Sequence, residues 1–197
     1  MIHAIQPFCP QFTPRDRELL HAVMQAHADA AGKNSPASTQ MCQIQGMARM
    51  PFESAIIAAM NTVGGRHAPL TRTRQFWFYD LAALQHNAWK DALKAKLEAG
   101  EIIPGFGHSI HKGASSPELD PVRKVIDGMF PEASAFVADA AAIVQSVKPS
   151  LAPNIALYTA LACELVGMRY GIESLVFVLP RLPVWAMAWG NAMAADQ

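Results

Sequence analysis

A segment over residues 103–112 carries the strongest local sign of chemistry in this chain. It reads IPGFGHSIHK, with a glycine on each side of Phe106 and His108 directly after the second. Glycine lets a backbone approach a ligand closely and adopt positive φ angles. An imidazole on such a loop can donate a hydrogen bond to a carbonyl oxygen that is gaining negative charge. A glycine turn with a surface histidine gives the same pattern, so the segment alone leaves both interpretations open.

Two further segments place a polar side chain at a predicted helix boundary. Gly64–Pro69 (GGRHAP) sets His67 on a glycine turn, and Pro153–Tyr158 (PNIALY) sets Asn154 at a helix start. Taken alone, His67 also fits a residue that caps a helix end. Asn154 also fits an N-cap, a position that favours asparagine.

Other familiar site patterns are missing from the sequence. His108 and His111 have a spacing that can bind metal on a helix, but no Cys, Asp or Glu stands nearby in a ligand pattern, so no metal site is predicted. Neither a phosphate-cradling glycine loop nor a GxSxG nucleophile motif occurs. Cys163 lies within an apolar helical stretch, where packing is the expected role. The three cysteines are widely spaced and form no disulfide framework.

Helices are predicted to position these segments. Apolar residues recur at helical spacing, and proline or hydroxyl residues open most of the periodic stretches. Pro180 is predicted to end one helix, and Ile56, Ile57 and Met60 are expected on the buried side of another. No repeated period-2 pattern appears, so the predicted fold class is all-α. The predicted helices cover about 13–31, 37–47, 52–61, 70–99, 120–127, 131–147, 153–166, 174–179 and 183–193.

Composition narrows the classes of protein. The chain has 197 residues, 16 basic and 16 acidic side chains, and 51% hydrophobic residues. A neutral chain offers no basic surplus for nucleic acid or an anionic membrane. The high apolar content excludes disorder, and the low charge favours a surface partly covered by a partner. Without a secretory signal or an uninterrupted apolar span, a cytoplasmic location is predicted.

The order and spacing of the motifs resemble the citrate synthase superfamily, including its shorter citryl-CoA lyase-like members. The most specific match is Pro104–His108 with Lys112, which is similar to the family's Gly-Phe-Gly-His loop and its following lysine. The others are the helix ending in HADA, the Pro-Ala-Ser-Thr that follows it, the turn at His67, the Pro-Asn before Ile155, and the Pro-Arg at Arg181. The match covers roughly residues 12–193.

This resemblance implies a citrate synthase-like helical fold that lacks the N-terminal helices. Residues 1–99 and 150–197 are expected to form a part like the family's large domain, and residues 100–149 a small helical domain on the CoA side. The family is dimeric and makes or breaks a carbon–carbon bond next to a CoA thioester. A homodimer is therefore expected, or a hetero-oligomer with a second subunit, with an acyl-CoA and a carboxylate or keto acid as substrates and no metal.

The resemblance also implies roles for single residues. His67 is expected to polarise the thioester carbonyl as a catalytic residue, and His108 to hydrogen-bond the acceptor's carbonyl as a second one. Arg181 is expected to hold a substrate carboxylate. Asn154 and Arg123 are further substrate-binding candidates. The residues expected at CoA are Pro104, Gly105, Phe106, Gly107 and Lys112.

Several positions depart from the family pattern. The family's Asp, which removes the α-proton of the acyl-CoA, is replaced by Ala156, and an expected acceptor-binding His is replaced by Ala30. Arg123 stands one place later than the family's Arg. Since a positioned general base contributes about 10²–10⁴-fold, another group must take the proton if the chain is an enzyme. Glu164, on the same predicted helix, is one candidate, and the substrate or a water molecule could also serve.

Three functions therefore remain open from the sequence. The first is a divergent acyl-CoA carbon–carbon lyase or synthase. The second is a non-catalytic subunit that binds CoA thioesters or regulates a larger citrate synthase-like assembly. The third is a helical protein whose pocket binds an unrelated small molecule, since a fold does not fix a function.

Overall fold

The computed structural model describes residues 2–34, 36–64, 67–84, 88–107 and 116–195. Within these ranges the chain is helical, with no strand and two isolated β-bridges, one at Gly64 and His67 and one at Phe106 and Pro153. The prediction of an all-α fold is confirmed. The helices are α1 (Ile2–Ile5), α2 (Pro14–Asn34), α3 (Ala37–Met47), α4 (Phe52–Met60), α5 (Leu70–Gln75), α6 (Ala88–Glu98), α7 (Asp120–Met129), α8 (Pro131–Val147), α9 (Ile155–Leu165) and α10 (Ser174–Ala194).

The start of α2 follows the capping rules that predicted it. Thr13 donates its backbone N–H to Asp16 Oδ2 at 2.8 Å, and Asp16 returns its own N–H to Thr13 Oγ1 at 3.3 Å. This reciprocal pair satisfies two donors that a helix start leaves open, and proline at the first helical position needs no donor partner. The helices predicted over 37–47 and 52–61 also form, with bounds that differ by no more than one residue.

The long helix predicted over 70–99 is wrong. Helix α5 ends at Gln75, a π-helical turn covers Phe76–Asp80, and α6 begins at Ala88. The π turn points Trp77 inward, where its Nε1 donates to the carbonyl oxygen of Pro104 at 2.7 Å. Its ring packs against Phe106 and Phe136. The burial of these aromatic side chains offsets the loss of regular helical hydrogen bonds. The spacing of apolar residues does not predict such a bulge.

The end of the chain differs from prediction too. We predicted that Pro180 stops one helix and that another starts at Pro183, whereas α10 runs through both prolines. Each proline costs a helix about 3 kcal/mol. The helix nevertheless buries Phe177, Arg181 and Trp185 against its neighbours, mainly α2 and α3. This packing offsets the lost hydrogen bonds.

Helix α4 turns a different face to the core than predicted. Ala55 and Ala59 are fully buried, whereas Ile57 is 61% exposed and Met60 48% exposed. The small alanines let α4 approach α3 closely, so the large side chains point outward. Together with the end of α3 they form an exposed apolar surface, which we call the methionine face: Ile44, Met47, Met50, Ile57 and Met60.

Two groups of buried side chains make up the core. The larger one joins residues from most of the helices, from Ile5 on α1 to Val176 on α10. The smaller one lies where α3, α4, α9 and α10 meet, and includes Cys42, Ala156, Phe177 and Trp185. The division into a large part and a small domain at residues 100–149 stays a prediction. No helix of the described residues is long and apolar enough to cross a membrane.

Candidate active site

Three nitrogen-bearing side chains surround the ring of Phe177, which is 2% exposed on α10. The imidazole of His27 on α2 lies 5.2 Å from the phenyl ring between centroids, and that of His67 lies 5.3 Å away, both edge to face. The guanidinium carbon of Arg181 lies 3.9 Å from the ring centroid. We call these four residues the Phe177 cluster. It gathers groups from α2, from the turn before α5 and from α10.

Arg181 is a buried cation, and among the described residues no acidic side chain forms an ion pair with it. It is 3% exposed, and its Nε and Nη1 atoms have no hydrogen-bond partner among the described residues. It stands one helical turn after Phe177, which places its guanidinium against the ring. Burial lowers the pKa of Arg181 to about 10, so the group is still charged at neutral pH. A buried, unpaired guanidinium is costly, and an anionic ligand that accepts from it offsets the cost.

His67 sits on a tight turn that fixes its backbone. Gly64 donates to the carbonyl oxygen of His67 at 2.7 Å, and His67 donates to that of Gly64 at 2.9 Å. Its Nε2 lies 3.2 Å from Ser38 Oγ at the start of α3. Burial, and then the charge of Arg181, lower the pKa of this half-buried imidazole. His67 is therefore neutral at pH 7 and can donate one hydrogen bond to a ligand oxygen.

His27 is a member of the cluster that sequence reasoning missed. It is fully buried, and its Nε2 is hydrogen-bonded to Thr159 Oγ1 on α9 at 2.9 Å. Its Nδ1 has no partner within the described part of the chain. Burial, followed by the charges of Arg181 and His67, holds the pKa of His27 well below its usual value. The available signal was a polar residue at an apolar-periodic position of α2, which sequence reasoning counted as helix packing.

The predicted CoA loop is fastened to the start of α9. Pro104 accepts from Trp77, the carbonyl oxygen of Gly105 accepts from the N–H of Asn154 at 2.9 Å, and Gly107 donates to Ala152 at 2.8 Å. Gly105 has a φ of +87°, and a Cβ there would lie 2.8 Å from Leu157 Cβ. The loop therefore needs glycine at this position and is held in one conformation.

Comparison with known proteins decides the family. The model of the citrate synthase C-terminal domain matches residues 1–197. The chain belongs to the citrate synthase family. This confirms the predicted resemblance to the citrate synthase superfamily.

Solved structures agree in fold. The citryl-CoA lyase from Hydrogenobacter thermophilus is similar with a TM-score of 0.78 and 18% identity, over 93% of this chain and 72% of the lyase. The citrate synthase from Thermotoga maritima MSB8 is similar with a TM-score of 0.71 and 18% identity, over 93% of this chain and 50% of the synthase. At this identity the likeness shows the fold alone. A search of curated proteins finds no match to the chain.

Ala156, which the sequence predicts at the position of the family's Asp, is a buried methyl group. Ala156 lies in the first turn of α9, is 5% exposed, and belongs to the same buried group as Phe177. Asn154, predicted to bind substrate, caps this helix. Its Oδ1 accepts from the N–H of Ala156 at 2.9 Å, and its Nδ2 donates to the carbonyl oxygen of Gly107 at 2.7 Å. Both side-chain groups of Asn154 thus tie the loop to α9.

The other predicted site residues of this citrate synthase-family chain either lie away from the Phe177 cluster or fall outside the described residues. Arg123 on α7 donates to the hydroxyl of Tyr158 at 3.1 Å and lines a separate cavity of about 280 Å³. Tyr158 follows Ala156 by two residues, a rotation of about 200°, so it faces the opposite side of α9. The structure therefore does not bring Arg123 to the Phe177 cluster. His108 and Lys112 lie outside the described residues.

Phe106 and Glu164, two further candidates from the sequence, both make contacts that stabilise the fold. Phe106 is 8% exposed and packs in the main core, so only the backbone of this residue is left for a ligand. Glu164 accepts from Arg74 Nε at 3.0 Å and borders a cavity of about 830 Å³ between α2, α8 and α9. Among the described residues, Glu164 forms its hydrogen bond and ion pair with Arg74 and makes none with the Phe177 cluster. In the described ranges, no three His, Cys, Asp or Glu side chains gather as a metal site.

Proposed function

We propose that the chain binds a CoA thioester together with a carboxylate-bearing substrate, and makes or breaks the carbon–carbon bond next to the thioester carbonyl. The observation that carries this proposal is the buried, unpaired Arg181 beside two imidazoles, in a chain of the citrate synthase family. The family handles acyl-CoA and carboxylate substrates, and the Phe177 cluster supplies one cation for a carboxylate and one neutral imidazole for a carbonyl.

The roles follow from the chemistry of each group. Arg181 holds the substrate carboxylate, because its unpaired Nε and Nη1 are donors that a carboxylate oxygen satisfies. His67 donates to the thioester oxygen as negative charge develops there, since a positioned donor of this kind contributes about 10²–10³-fold to the rate. His108 remains the predicted partner of the second carbonyl.

The CoA portion is proposed to lie along the loop at Gly105–Gly107, and Lys112 stays a predicted contact. The tight fastening of this loop to Trp77 and α9 supports the proposal, because a rigid backbone needs no ordering when a nucleotide binds. Phe106 contributes through its backbone, since its ring is committed to the core. We propose no metal in the reaction.

The assembly we propose is a homodimer formed through the methionine face. This surface exposes Met47 by 57% and Ile57 by 61%, and an exposed apolar patch is a feature of interaction surfaces. Substituting Ile57 by lysine should yield monomers in sedimentation velocity. A wild-type chain that is already monomeric at micromolar concentration would contradict the assembly.

One observation favours a second function, a non-catalytic CoA-thioester-binding or regulatory subunit. Ala156 places a buried methyl group where the family has a base, and a methyl group takes no proton. In that case the pocket binds the thioester but turns nothing over. The low charge of the chain, with 16% charged residues, also agrees with a surface covered by a partner subunit.

Calorimetry and a cleavage assay separate the candidates. The purified chain is titrated with CoA and acetyl-CoA, then incubated with citryl-CoA while thiol release is measured. Binding with turnover that His67→Ala abolishes supports the lyase or synthase. Binding without turnover supports the subunit. Absence of both leaves a family fold whose pocket binds an unrelated molecule.

A further inference from the structure

The hydrogen bonds of Thr159 fix the tautomer of His27. The Thr159 hydroxyl donates to the carbonyl oxygen of Ile155 at 2.7 Å, one turn back on α9. A hydroxyl has one hydrogen, so toward His27 its oxygen acts as acceptor. The imidazole nitrogen 2.9 Å away, Nε2, must therefore carry the proton. The other ring nitrogen, Nδ1, is left as a bare lone pair.

That lone pair is buried without a donor. His27 is 0% exposed, and no described group donates to Nδ1. Leaving a buried acceptor unpaired costs about 1–3 kcal/mol. Unsatisfied atoms of this kind are rare in folded proteins and need an explanation. The imidazole of His27 and the guanidinium of Arg181 both contact the ring of Phe177, so an unsatisfied acceptor and unsatisfied donors lie around one aromatic ring without pairing with each other.

The same hydrogen bond places His27 near the methyl group of Ala156. Thr159 and Ala156 are three residues apart on α9, so their side chains lie on one face about one turn apart. His27 is thus held beside the position where the family has its carboxylate base. The lone pair of His27 Nδ1 can accept a proton at this place, although His27 belongs to α2 rather than α9.

We propose that Nδ1 of His27 accepts the α-proton of a bound acyl thioester, in place of the carboxylate that Ala156 lacks. The inference rests on the proposed function. The C–H bond breaks, its electron pair becomes the C=C bond of the enolate, and the thioester oxygen takes the negative charge opposite His67. The proton goes to Nδ1, and His27 becomes an imidazolium. In the cleavage direction the imidazolium returns this proton to the enolate carbon.

The charge of Arg181 couples this step to the second substrate. An imidazolium next to an unpaired guanidinium is disfavoured, and Arg181 is one of the groups that lower the pKa of His27, after burial. A carboxylate bound to Arg181 neutralises that charge. Proton transfer is therefore expected to be faster when a carboxylate ligand is bound than with the thioester alone.

Exchange of the acetyl protons of acetyl-CoA in D₂O tests the step without the full reaction. Wild-type protein with acetyl-CoA and malonate should incorporate deuterium, as measured by mass spectrometry. His27→Gln keeps an amide where Nε2 bonds to Thr159 but removes Nδ1, and exchange should fall about 10²–10⁴-fold. Its affinity for acetyl-CoA should stay within a few-fold. His21→Gln, on the exposed side of the same helix, is the matched control.

The outcomes separate this inference from the proposed function. Exchange by His27→Gln at the wild-type rate, or a wild type that binds acetyl-CoA without exchange, overturns the role of His27 and leaves thioester binding intact. A wild type that binds no thioester overturns both. Nitrogen-15 NMR of the imidazoles adds a test independent of activity: the proposal requires a protonated Nε2 and a bare Nδ1 in His27, and the opposite tautomer contradicts it.

Discussion

Replacing Arg181 with methionine should stabilise the ligand-free protein. Burial lowers the pKa of Arg181 from 12.5 to about 10. Each pKa unit is worth about 1.36 kcal/mol, so holding the cation in the fold costs about 3 kcal/mol at pH 7, where the side chain is charged in both folded and unfolded states. Methionine fills a similar space without charge. The free energy of unfolding of Arg181→Met should therefore rise by about 1–3 kcal/mol.

A second buried arginine supplies the matched control. Arg74 is also 3% exposed, but it bonds to Glu173 at 2.9 Å and to Glu164 at 3.0 Å. Removing it leaves Glu173, which is fully buried, without its cation. Breaking such a pair costs about 3–5 kcal/mol. Two chemically identical substitutions at equal burial should thus shift stability in opposite directions.

Urea unfolding followed by far-UV circular dichroism measures both changes. In a domain of this size, each kcal/mol corresponds to about 2–4 °C in Tm, so a thermal scan resolves the difference. Calorimetry should also show that Arg181→Met has lost the affinity for malonate. If Arg181→Met were destabilised as much as Arg74→Met, Arg181 would have to be paired in the ligand-free protein, and the reasoning would fail.

Three further predictions test the surroundings of the cluster. Gly105→Ala should lose about 1–3 kcal/mol of stability in urea, because its Cβ would lie 2.8 Å from Leu157 Cβ on α9. Gly100→Ala, which has a similar positive φ but open space around it, should lose less. Ala156→Asp should raise deuterium exchange of acetyl-CoA by about 10²–10⁴-fold in a His27→Gln background, and an unchanged rate would argue that this position does not face the α-carbon. Below about pH 6.5 histidines of the unfolded chain take up protons, whereas the fold keeps His27 neutral, so the free energy of unfolding should decrease as the pH is lowered. In His27→Gln the urea midpoint should therefore change less between about pH 7 and acidic pH than in the wild type.

The sequence carries enough local information for the helices whose ends have capping residues. Helix α2 begins where a threonine and an aspartate can cap each other, and the structure shows that pair. The π turn at Phe76–Asp80 and the two prolines inside α10 were not predictable in the same way. Each of these features costs local helical hydrogen bonds, and packing against residues far away in the sequence offsets that cost. A prediction from neighbouring residues alone does not include these distant contacts.

The outward face of α4 shows the same limit. Its sequence offers two candidate faces, one of alanines and one of large apolar residues, and the rule that large apolar side chains are buried selects the wrong one. Close approach to α3 and α10 favours the small face instead. At Gly46 on α3, a Cβ would collide with the backbone of Trp189, so α3 and α10 pack at backbone distance.

The candidate site was predictable only where a motif or an unusual residue marked it. The turn with His67 and the charge at Arg181, within an apolar stretch, were both visible in the sequence, and the structure places them on one aromatic ring. Their catalytic and binding roles stay predictions. His27 was hidden because a buried histidine at a periodic position looks like core. Only the partner on α9 and the unpaired nitrogen distinguish it.

A crystal structure of the protein with acetyl-CoA and malonate would show where both substrates bind relative to the Phe177 cluster. We expect a malonate carboxylate on Nε and Nη1 of Arg181, with the thioester oxygen within hydrogen-bond distance of His67 and the acetyl group facing His27. A structure in which Arg181 stays without an anion while both ligands occupy the cavity between α2, α8 and α9 would contradict this expectation.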